Sequence, residues 1–263
     1  MQSFIAQQDC IVGISSLGVE TADIVIADPP YNIGKDFGND SDKQFLDKYL
    51  DWCDDWMKEC LRVLKPSGTM FVYGFSEILA FLRVRLHTSH PKLHVRWLVW
   101  HYKNKTVPSC KTFQRSHESI LMITKSKQPI FNRDEVRVPY SDAYKKMGGK
   151  TRAATNGRFG NTETSYTVHE KGALPRDVIE IATLAGGSGK ERVNHPTQKP
   201  LALCETLIKA CKQPADKETV VVIPFAGSGS EIVASARLGC KYAAYEINEE
   251  YVRLCEERLQ ALG

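Results

Sequence analysis

Apolar and polar positions follow two periodicities along this chain, and the two alternate toward both ends of the sequence. Short apolar runs predict buried strands, and apolar residues at intervals of three and four predict helices. The predicted strands are 24–27, 69–73, 95–101, 119–124, 219–223 and 242–245, and the predicted helices are 43–64, 76–87, 201–212, 230–238 and 249–261. Pro66-Ser67-Gly68 is predicted to end the first helix. Alternating strands and helices predict an α/β fold, a Rossmann-like doubly wound and mostly parallel sheet with helices on both faces.

The middle of the chain lacks both periodicities. Residues 141–194 are rich in glycine and predict an insert or a separate lobe. We place the insert at 128–190, between one half of a core at 1–127 and the other half at 191–263. No stretch approaches the ~18 apolar residues that span a bilayer, and the first 13 residues lack the pattern of a secretory signal. We therefore expect no membrane partner and a cytoplasmic location.

Composition narrows the class of protein further. The 263 residues are 42% hydrophobic, enough for a sizeable core. None of the eight cysteines forms a CxxC pair, which argues against zinc-ribbon and thioredoxin functions and predicts no metal site. Their spacing favours reduced core thiols of a cytosolic protein.

Charge is distributed unevenly. The net charge of +4 is too small to indicate a polyanionic partner. However, residues 78–115 contain eight Lys or Arg and no acid, whereas residues 40–59 contain seven acids. Aromatic residues such as Trp97, Tyr102 and Phe113 are interleaved with the basic ones. This combination suits a nucleic-acid surface, although a solvated basic face around core aromatics would have the same composition.

A glycine-rich turn follows the predicted strand 219–223. Its residues precede a helix and are Phe225-Ala226-Gly227-Ser228-Gly229-Ser230. Glycines let the backbone approach a ligand, and an acid after the next strand, here Glu246, suits the two hydroxyls of a ribose. The turn lacks the third glycine of a dinucleotide fingerprint and the lysine of a P-loop. A second stretch, 186–190, fails the P-loop spacing as well, which disfavours a P-loop nucleotide hydrolase.

A second turn follows the predicted strand 24–27 and reads Asp28-Pro29-Pro30-Tyr31. Its place after a parallel strand puts it at the sheet edge where ligands bind. The prolines remove two N–H donors, so a carboxylate and carbonyl oxygens remain beside an aromatic ring. That set suits an amino group on a ring, held by Asp28 and the Pro29 carbonyl while Tyr31 stacks on the ring. A purely structural turn is the alternative.

Together, these motifs resemble those of the DNA amino-methyltransferases, which methylate adenine N6 or cytosine N4 with S-adenosylmethionine. Asp28-Pro29-Pro30-Tyr31 is similar to their catalytic motif, 225–229 to their cofactor turn and Glu246 to their ribose-binding acid. The order of the two motifs resembles that of the permuted β group. The resemblance implies a class I methyltransferase core in which 128–190 recognises the target, 1–127 is the catalytic half and 191–263 the cofactor half.

The resemblance also implies further cofactor contacts. Asp9 and Cys10 are expected near the adenine ring, and Thr197 and Lys199 near the methionine carboxylate. Ser230 and Asn248 complete the expected cofactor residues. One position departs from the family pattern: Ile223 stands where an acid near the methionine amino group is usual.

Methylation of a base amine within a duplex requires the base to be flipped out. The resemblance implies that Tyr31 stacks the flipped base and that Asp28 orients its amine. Because a carboxylate is a weak proton acceptor, Asp28 is not expected to act as a general base. Basic residues within the 103–115 loop and further along the chain are expected to bind the phosphates of the DNA backbone. These residues are Lys103, Lys105, Lys111, Arg115, Lys145, Lys146, Arg152 and Arg158. Double-stranded DNA is the expected partner, and a homodimer and a companion restriction endonuclease are left open.

The motifs favour an adenine-N6 enzyme, because DPPY accompanies adenine more often than cytosine in this family. Methylation of cytosine N4, or of an RNA or glutamine amine, is the first alternative. The second is a non-catalytic DNA-binding relative with impaired cofactor binding, suggested by Ile223. A cytosine-C5 enzyme is disfavoured because the sequence contains no Pro-Cys dipeptide for its nucleophile.

Overall fold

The computed structural model describes residues 1–33, 44–104, 111–154, 162–184 and 189–262. The chain divides into two compact units: Met1–Phe131 with Asp177–Gly263, and Asn132–Arg176. The smaller unit lies inside the predicted insert 128–190 and is shorter than it at both ends. No described helix combines the length and apolarity that a membrane crossing needs.

Ten strands and seven α-helices are present in the described residues. The strands are β1 Phe4–Gln7, β2 Ala22–Ala27, β3 Leu64–Gly74, β4 His94–His101, β5 His117–Thr124, β6 Thr151–Arg152, β7 Thr164–Ser165, β8 Val178–Glu180, β9 Val220–Ile223 and β10 Lys241–Glu246. The helices are α1 Cys10–Ser15, α2 Leu46–Val63, α3 Ser76–Ser89, α4 Asp142–Lys145, α5 Leu201–Cys211, α6 Ser230–Arg237 and α7 Glu249–Gln260.

The larger unit is built on one eight-stranded sheet. The strand order is β1-β10-β9-β2-β3-β5-β4-β8. The first five strands are parallel, β5 is antiparallel to both of its neighbours, and β8 is parallel to β4. The predicted α/β fold with a mostly parallel sheet is confirmed. Between β9 and β2 the order of the sheet reverses, and such a switch point opens a ligand crevice at the carboxyl ends of the strands.

Apolar side chains cover both faces of this sheet. All six residues of β2 are buried, which explains its continuous apolar run. Val25 and Ala27 pack into one cluster with α1, α2 and α3, where Trp56 is fully buried. On α5, which packs against α6, Leu203 and Leu207 are buried in the same way. Packing on both faces holds the sheet in place, and with it the turns that follow its strands.

A buried acid ties the central strands together at their amino ends. The Asp23 carboxylate accepts hydrogen bonds from Lys65 Nζ at 2.8 Å, Gln213 Nε2 at 2.6 Å and the Val220 N–H at 2.9 Å. Three donors compensate the desolvation of a carboxylate that is 2% exposed. Asp23 is thus a structural residue at the end of the sheet opposite the crevice.

Several elements differ from those predicted. Helix α2 ends at Val63 and β3 begins at Leu64, so Pro66-Ser67-Gly68 lies within β3 and does not end the helix. Strand β1, helix α1 and strand β8 were not predicted. β8 lies within a stretch without periodicity and is recruited by tertiary contacts, because the Val99 N–H donates to Asp177 O and Trp100 Nε1 donates to Ile181 O.

The smaller unit is held by polar and aromatic contacts. Arg137 Nε donates to Asp134 at 2.6 Å, and its guanidinium also donates to the Gly172 carbonyl. Tyr140 and Tyr144 stack with ring centroids 4.7 Å apart. These contacts explain why a segment without periodicity is nevertheless compact.

Candidate active site

Two turns lie side by side at the carboxyl edge of the sheet. Ile24 pairs with Val221 and Val25 with Val222, so the turns that follow β2 and β9 leave neighbouring strands at the same edge. Between them opens a cavity of about 270 Å³. Its wall is formed by Gln8, Asp9, Cys10, Asp28, Pro29, Pro30, Tyr31, Ile33, Gln44, Tyr49, Trp52, His195, Thr197, Pro224, Phe225, Ala226, Gly227, Ser228, Glu231, Tyr245, Glu246, Ile247 and Tyr251. The structure therefore brings most of the predicted catalytic and cofactor residues to one cavity.

The turn after β9 needs its glycines. Gly227 and Gly229 have φ values of +48° and +76°, in the left-handed region. A Cβ on Gly227 would lie 3.0 Å from His195 Nε2, and one on Gly229 would lie 2.9 Å from Cys255 Sγ. The close approach at Gly227 brings the segment that carries Thr197 against the turn.

Glu246 is fixed by backbone donors. The Gly227 N–H donates to Oε2 at 2.8 Å, and the Asn248 N–H donates to Oε1 at 2.9 Å. Burial raises the pKa of this carboxyl above its usual value, and the hydrogen bonds oppose that shift. Each oxygen retains a lone pair for a further donor. Asn248 acts through its backbone and is not part of the cavity wall.

Asp9 and Cys10 reach the cavity at the start of α1. Asp9 Oδ1 caps that helix by accepting from the Ile11 and Val12 N–H groups. Burial raises the pKa of the Cys10 thiol to about 12, so at neutral pH it is an uncharged wall group.

Gly229 and Ser230 do not line the cavity and lie behind the turn, where Ser230 Oγ accepts a hydrogen bond from Arg258 at 3.3 Å.

Phe225 is anchored by two tryptophans of α2. Its ring lies 5.6 Å from the Trp52 ring and 5.3 Å from the Trp56 ring, measured between centroids. Trp52 and Tyr49 also line the cavity, although neither was predicted as a site residue. Their aromatic spacing on the predicted helix was a signal, but it is equally typical of a buried core face.

The Asp28 carboxylate is engaged at both oxygens. Oδ1 accepts from the Tyr31 hydroxyl at 2.7 Å, and Oδ2 accepts from Lys199 Nζ at 2.7 Å. The Tyr49 hydroxyl donates to the Pro30 carbonyl at 2.6 Å and fixes the turn. The Tyr31 ring is 5% exposed and packs edge-on against Phe75 at 5.0 Å. The turn is thus positioned by α2, by Phe75 between β3 and α3, and by the Lys199 segment.

Lys199 contacts Asp28, whereas the resemblance placed it near a cofactor carboxylate. Its side chain is 2% exposed and is not part of the cavity wall. Its ammonium also lies 3.5 Å from Glu118 Oε2. Burial opposes the charged form, but the Asp28 and Glu118 carboxylates outweigh it and raise the pKa of Lys199 above its usual value. Lys199 is therefore protonated and joins the two carboxylates.

Two acids of the site were missed from the sequence. Glu118 Oε2 accepts from the Tyr31 hydroxyl at 3.2 Å, and Glu231 belongs to the cavity wall. Neither lies in a turn with a recognisable pattern. Ile223, the position of the missing family acid, is fully buried at the end of β9.

The basic residues predicted to contact DNA are exposed wherever they are described. Lys103 pairs with Glu180 and Arg115 with Glu77, both at 2.7 Å, and Arg115 lies 4.0 Å above the Phe75 ring. In the smaller unit Lys145 pairs with Asp142 at 3.5 Å. Lys111, Lys146 and Arg152 are also exposed. Lys105, Arg158 and residues 186–188 lie outside the described residues.

The cavity's chemistry fits S-adenosylmethionine. Glu246 offers acceptors for a ribose diol, and the glycine turn lets a ligand come close to the protein backbone. Aromatic rings form part of the wall. Two carboxylates, Asp28 and Glu231, face the same space and suit a cationic group. The described residues contain no group of ligands that could hold a metal ion.

Comparison with known proteins gives a consistent result. The family model described as DNA methylase matches residues 22–257. Type II methyltransferase M.HpaI of Haemophilus parainfluenzae is 32% identical over 254 residues, covering 96% of this chain and 73% of that protein. DNA adenine methyltransferase YhdJ of Escherichia coli is 32% identical over 255 residues, covering 95% and 80%.

Solved structures share the fold. PvuII DNA methyltransferase, described as cytosine-N4-specific, superposes with a TM-score of 0.71 at 16% identity, covering 98% of this chain and 86% of that one. M1.HpyAVI in complex with SAM gives a TM-score of 0.61 at 21% identity, covering 98% and 100%. At these identities the likeness concerns the fold alone.

Proposed function

Because this chain belongs to the DNA methylase family, and is therefore an S-adenosylmethionine-dependent DNA methyltransferase, we propose that its acceptor is the N6 amine of adenine in duplex DNA. The observation that carries the proposal is the position of Asp28, whose carboxylate faces the cavity beside Pro29, Pro30 and Tyr31. This motif favours adenine, and the relative YhdJ is named an adenine methyltransferase. Cytosine N4 is the second candidate, because the amine chemistry is the same.

Asp28 would orient the amine of a flipped base. A carboxylate has about four acceptor sites, and Tyr31 and Lys199 occupy one on each oxygen, so a substrate N–H can still be accepted. Fixing the amine directs its lone pair toward the methyl group. Because both oxygens already accept hydrogen bonds from the protein, Asp28 acts as an orienting acceptor, and the proton leaves to solvent.

Other residues of the cavity would hold the cofactor. When bound, S-adenosylmethionine supplies an electrophilic methyl group on a sulfonium. We assign the ribose hydroxyls to Glu246 and the adenine to Asp9 and Cys10. Gly227 and Ser228 would contact the ligand where it approaches the protein backbone. Thr197 lines the same cavity. Gly229, Ser230 and Asn248 would act indirectly, by shaping the turn and holding Glu246.

The proposed partner is double-stranded DNA, contacted by the exposed residues Lys103, Lys111 and Arg115 and by the smaller unit, which would read the sequence. A cytoplasmic role in a restriction-modification system agrees with M.HpaI being named a Type II methyltransferase. A homodimer and a companion endonuclease stay predictions, tested by sedimentation of the purified chain and by a search for cleavage activity in its host.

Digestion of methylated DNA to nucleosides tests the acceptor. Purified protein is incubated with labelled S-adenosylmethionine and unmethylated duplex DNA, and N6-methyladenine is expected. N4-methylcytosine alone would replace adenine with the second candidate. Asp28→Asn keeps the shape and an acceptor for Lys199, so it should lower transfer at least ~100-fold, far more than it lowers cofactor affinity. Equal loss of binding and transfer would contradict the role given to Asp28.

A further inference from the structure

We propose that Glu231 binds the ammonium group of the methionine part of S-adenosylmethionine. The inference deepens the proposed function and rests on the cofactor cavity assigned there. It gives a role to a buried acid that none of the turn motifs includes.

Glu231 is a buried carboxylate on the cavity wall. It lies in the first turn of α6, directly after the glycine turn, and is 3% exposed. Its donors are weak for a carboxylate: the Cys204 thiol, whose Sγ is 3.5 Å from Oε1, and its own backbone N–H. Among the described residues no Lys, Arg or His forms an ion pair with it. A buried carboxylate without a cation is costly, and it faces the space where the ligand would lie.

The charges around Glu231 leave room for one more cation. Asp28, Glu118 and Glu231 are three acids, and Lys199 is the one buried lysine among them. Lys199 forms ion pairs with Asp28 and Glu118, which leaves Glu231 without its own partner. Arg258 also interacts electrostatically with Glu231 but forms no ion pair with it, so three acids face two cations, and a cationic ligand would meet a site of net negative charge.

S-adenosylmethionine carries two cationic groups, a sulfonium and an ammonium. The ammonium has three N–H donors that can bond a carboxylate directly, whereas the sulfonium sulfur carries no hydrogen. Glu231 has acceptor capacity that the thiol does not fill, so the ammonium is the better match. Ile223, at the end of β9, offers no carboxylate that could serve instead.

The ionisation of Glu231 makes this pairing measurable through proton release and through the pH dependence of cofactor affinity. Burial, and then the Asp28 charge, raise the pKa of Glu231 to about 7, against the effect of Lys199 and Cys204. The other titratable groups that interact with it are Tyr73, Cys255 and Arg258. An ammonium partner favours the ionised carboxylate and lowers this pKa, so binding should release a proton. Affinity should then fall as the pH drops below 7, by up to about tenfold per pH unit.

Calorimetric titration with three ligands tests the assignment. S-adenosylhomocysteine keeps the ammonium but loses the sulfonium charge, and 5′-methylthioadenosine lacks both. Glu231→Gln should weaken S-adenosylmethionine and S-adenosylhomocysteine alike, by about 10- to 100-fold for a charged hydrogen bond. Methylthioadenosine should bind the variant and the wild type within about twofold. Loss confined to S-adenosylmethionine would assign Glu231 to the sulfonium and overturn the proposal, as would equal loss for all three ligands.

The wild type provides a measurement that needs no variant. Titrations at several pH values below 7, in buffers of different ionisation enthalpy, should show proton release when S-adenosylmethionine binds, rising toward about one proton per ligand as the pH falls, and none with methylthioadenosine. No release with S-adenosylmethionine would refute the pairing even if Glu231→Gln failed to fold. Glu246→Gln is the matched control, because it should weaken all three ligands. If the wild type binds none of them, the cofactor cavity itself is wrong; if it binds them and Glu231→Gln changes nothing, only this inference is.

Discussion

At the scale of single residues, the Lys199 ammonium lies 2.7 Å from Asp28 Oδ2 and 3.5 Å from Glu118 Oε2. A buried ion pair of this kind is not reliably stabilising compared with apolar side chains, but removing one partner leaves uncompensated charges. The Lys199 side chain therefore matters both for folding and for the direction of the carboxylate that orients the substrate amine. These two effects can be separated by experiment.

Lys199→Met should lower the free energy of unfolding by about 3–5 kcal/mol, because Asp28 and Glu118 would lose their cation. Urea denaturation at pH 7 measures this loss. Lys209→Met is the control, since Lys209 pairs with Glu205 at 3.2 Å but is 38% exposed, and such pairs contribute about 0–1 kcal/mol. Equal losses in the two variants would show that burial does not set the value of the Lys199 pairs.

The contribution of Lys199 to the free energy of unfolding also depends on pH in a defined direction. Its folded-state pKa is raised, so the stabilisation is complete below the unfolded-state pKa of lysine, ~10.4, and is lost as the pH rises through the folded-state value. The difference in unfolding free energy between wild type and Lys199→Met should thus not shrink between pH 7 and 9. A difference that shrinks in this range would contradict a raised pKa.

At the scale of elements, the turn between β9 and α6 is set by backbone conformation. Gly229 and Gly239 both have left-handed φ values, +76° and +67°, at the two ends of α6. A Cβ on Gly229 would lie 2.9 Å from Cys255 Sγ, whereas one on Gly239 meets nothing within 4 Å. Gly239→Ala should cost about 1 kcal/mol and Gly229→Ala about 2–4 kcal/mol, because overpacking adds to the strain.

Denaturation of both alanine variants checks this difference. Calorimetry should also show weaker S-adenosylmethionine binding for Gly229→Ala alone, because α7, which carries Cys255, would have to move away from the turn. Comparable stability and affinity in the two variants would mean that the Gly229 contact is unimportant.

The same scale shows how much of the fold could be predicted from sequence. The central strands were predictable because burial on both faces produces continuous apolar runs, as in β2 and β9. Helix α1 is six residues long, and β8 is three, too short for either to show a period. Pro66 was interpreted as a helix end, yet the helix already ends at Val63. Short elements are fixed by tertiary contacts that local pattern does not contain.

At the scale of the whole molecule, the candidate site combines residues far apart in the chain. The turns after β2 and β9 could be predicted to meet, because neighbouring parallel strands deliver them to one edge. The places of Glu118 and Glu231 in the site could not be predicted, because the apolar pattern of β5 and α6 indicates only which residues are buried. The position of Lys199 on Asp28 likewise depends on packing between distant segments.

The distribution of charge on the molecule gives a final prediction about DNA. If Lys145 and Lys146 contact phosphates, their replacement by alanine should weaken binding to all sequences similarly and should lower the slope of log K against log salt by about 0.9 per contact. Fluorescence anisotropy of labelled duplexes between 50 and 200 mM salt, about the range in which such contacts dominate, measures the slope.

Lys217→Ala is the matched control for this charge effect. Lys217 is exposed, but it precedes β9 and therefore lies at the amino edge of the sheet, opposite the candidate site. The control should leave the slope unchanged although it removes the same charge as either single substitution, Lys145→Ala or Lys146→Ala. A slope that falls equally in Lys217→Ala would indicate that net charge, and not the smaller unit, governs DNA binding. A slope unchanged in Lys145→Ala/Lys146→Ala would exclude both lysines from the phosphate contacts and leave DNA binding to the basic residues of 103–115.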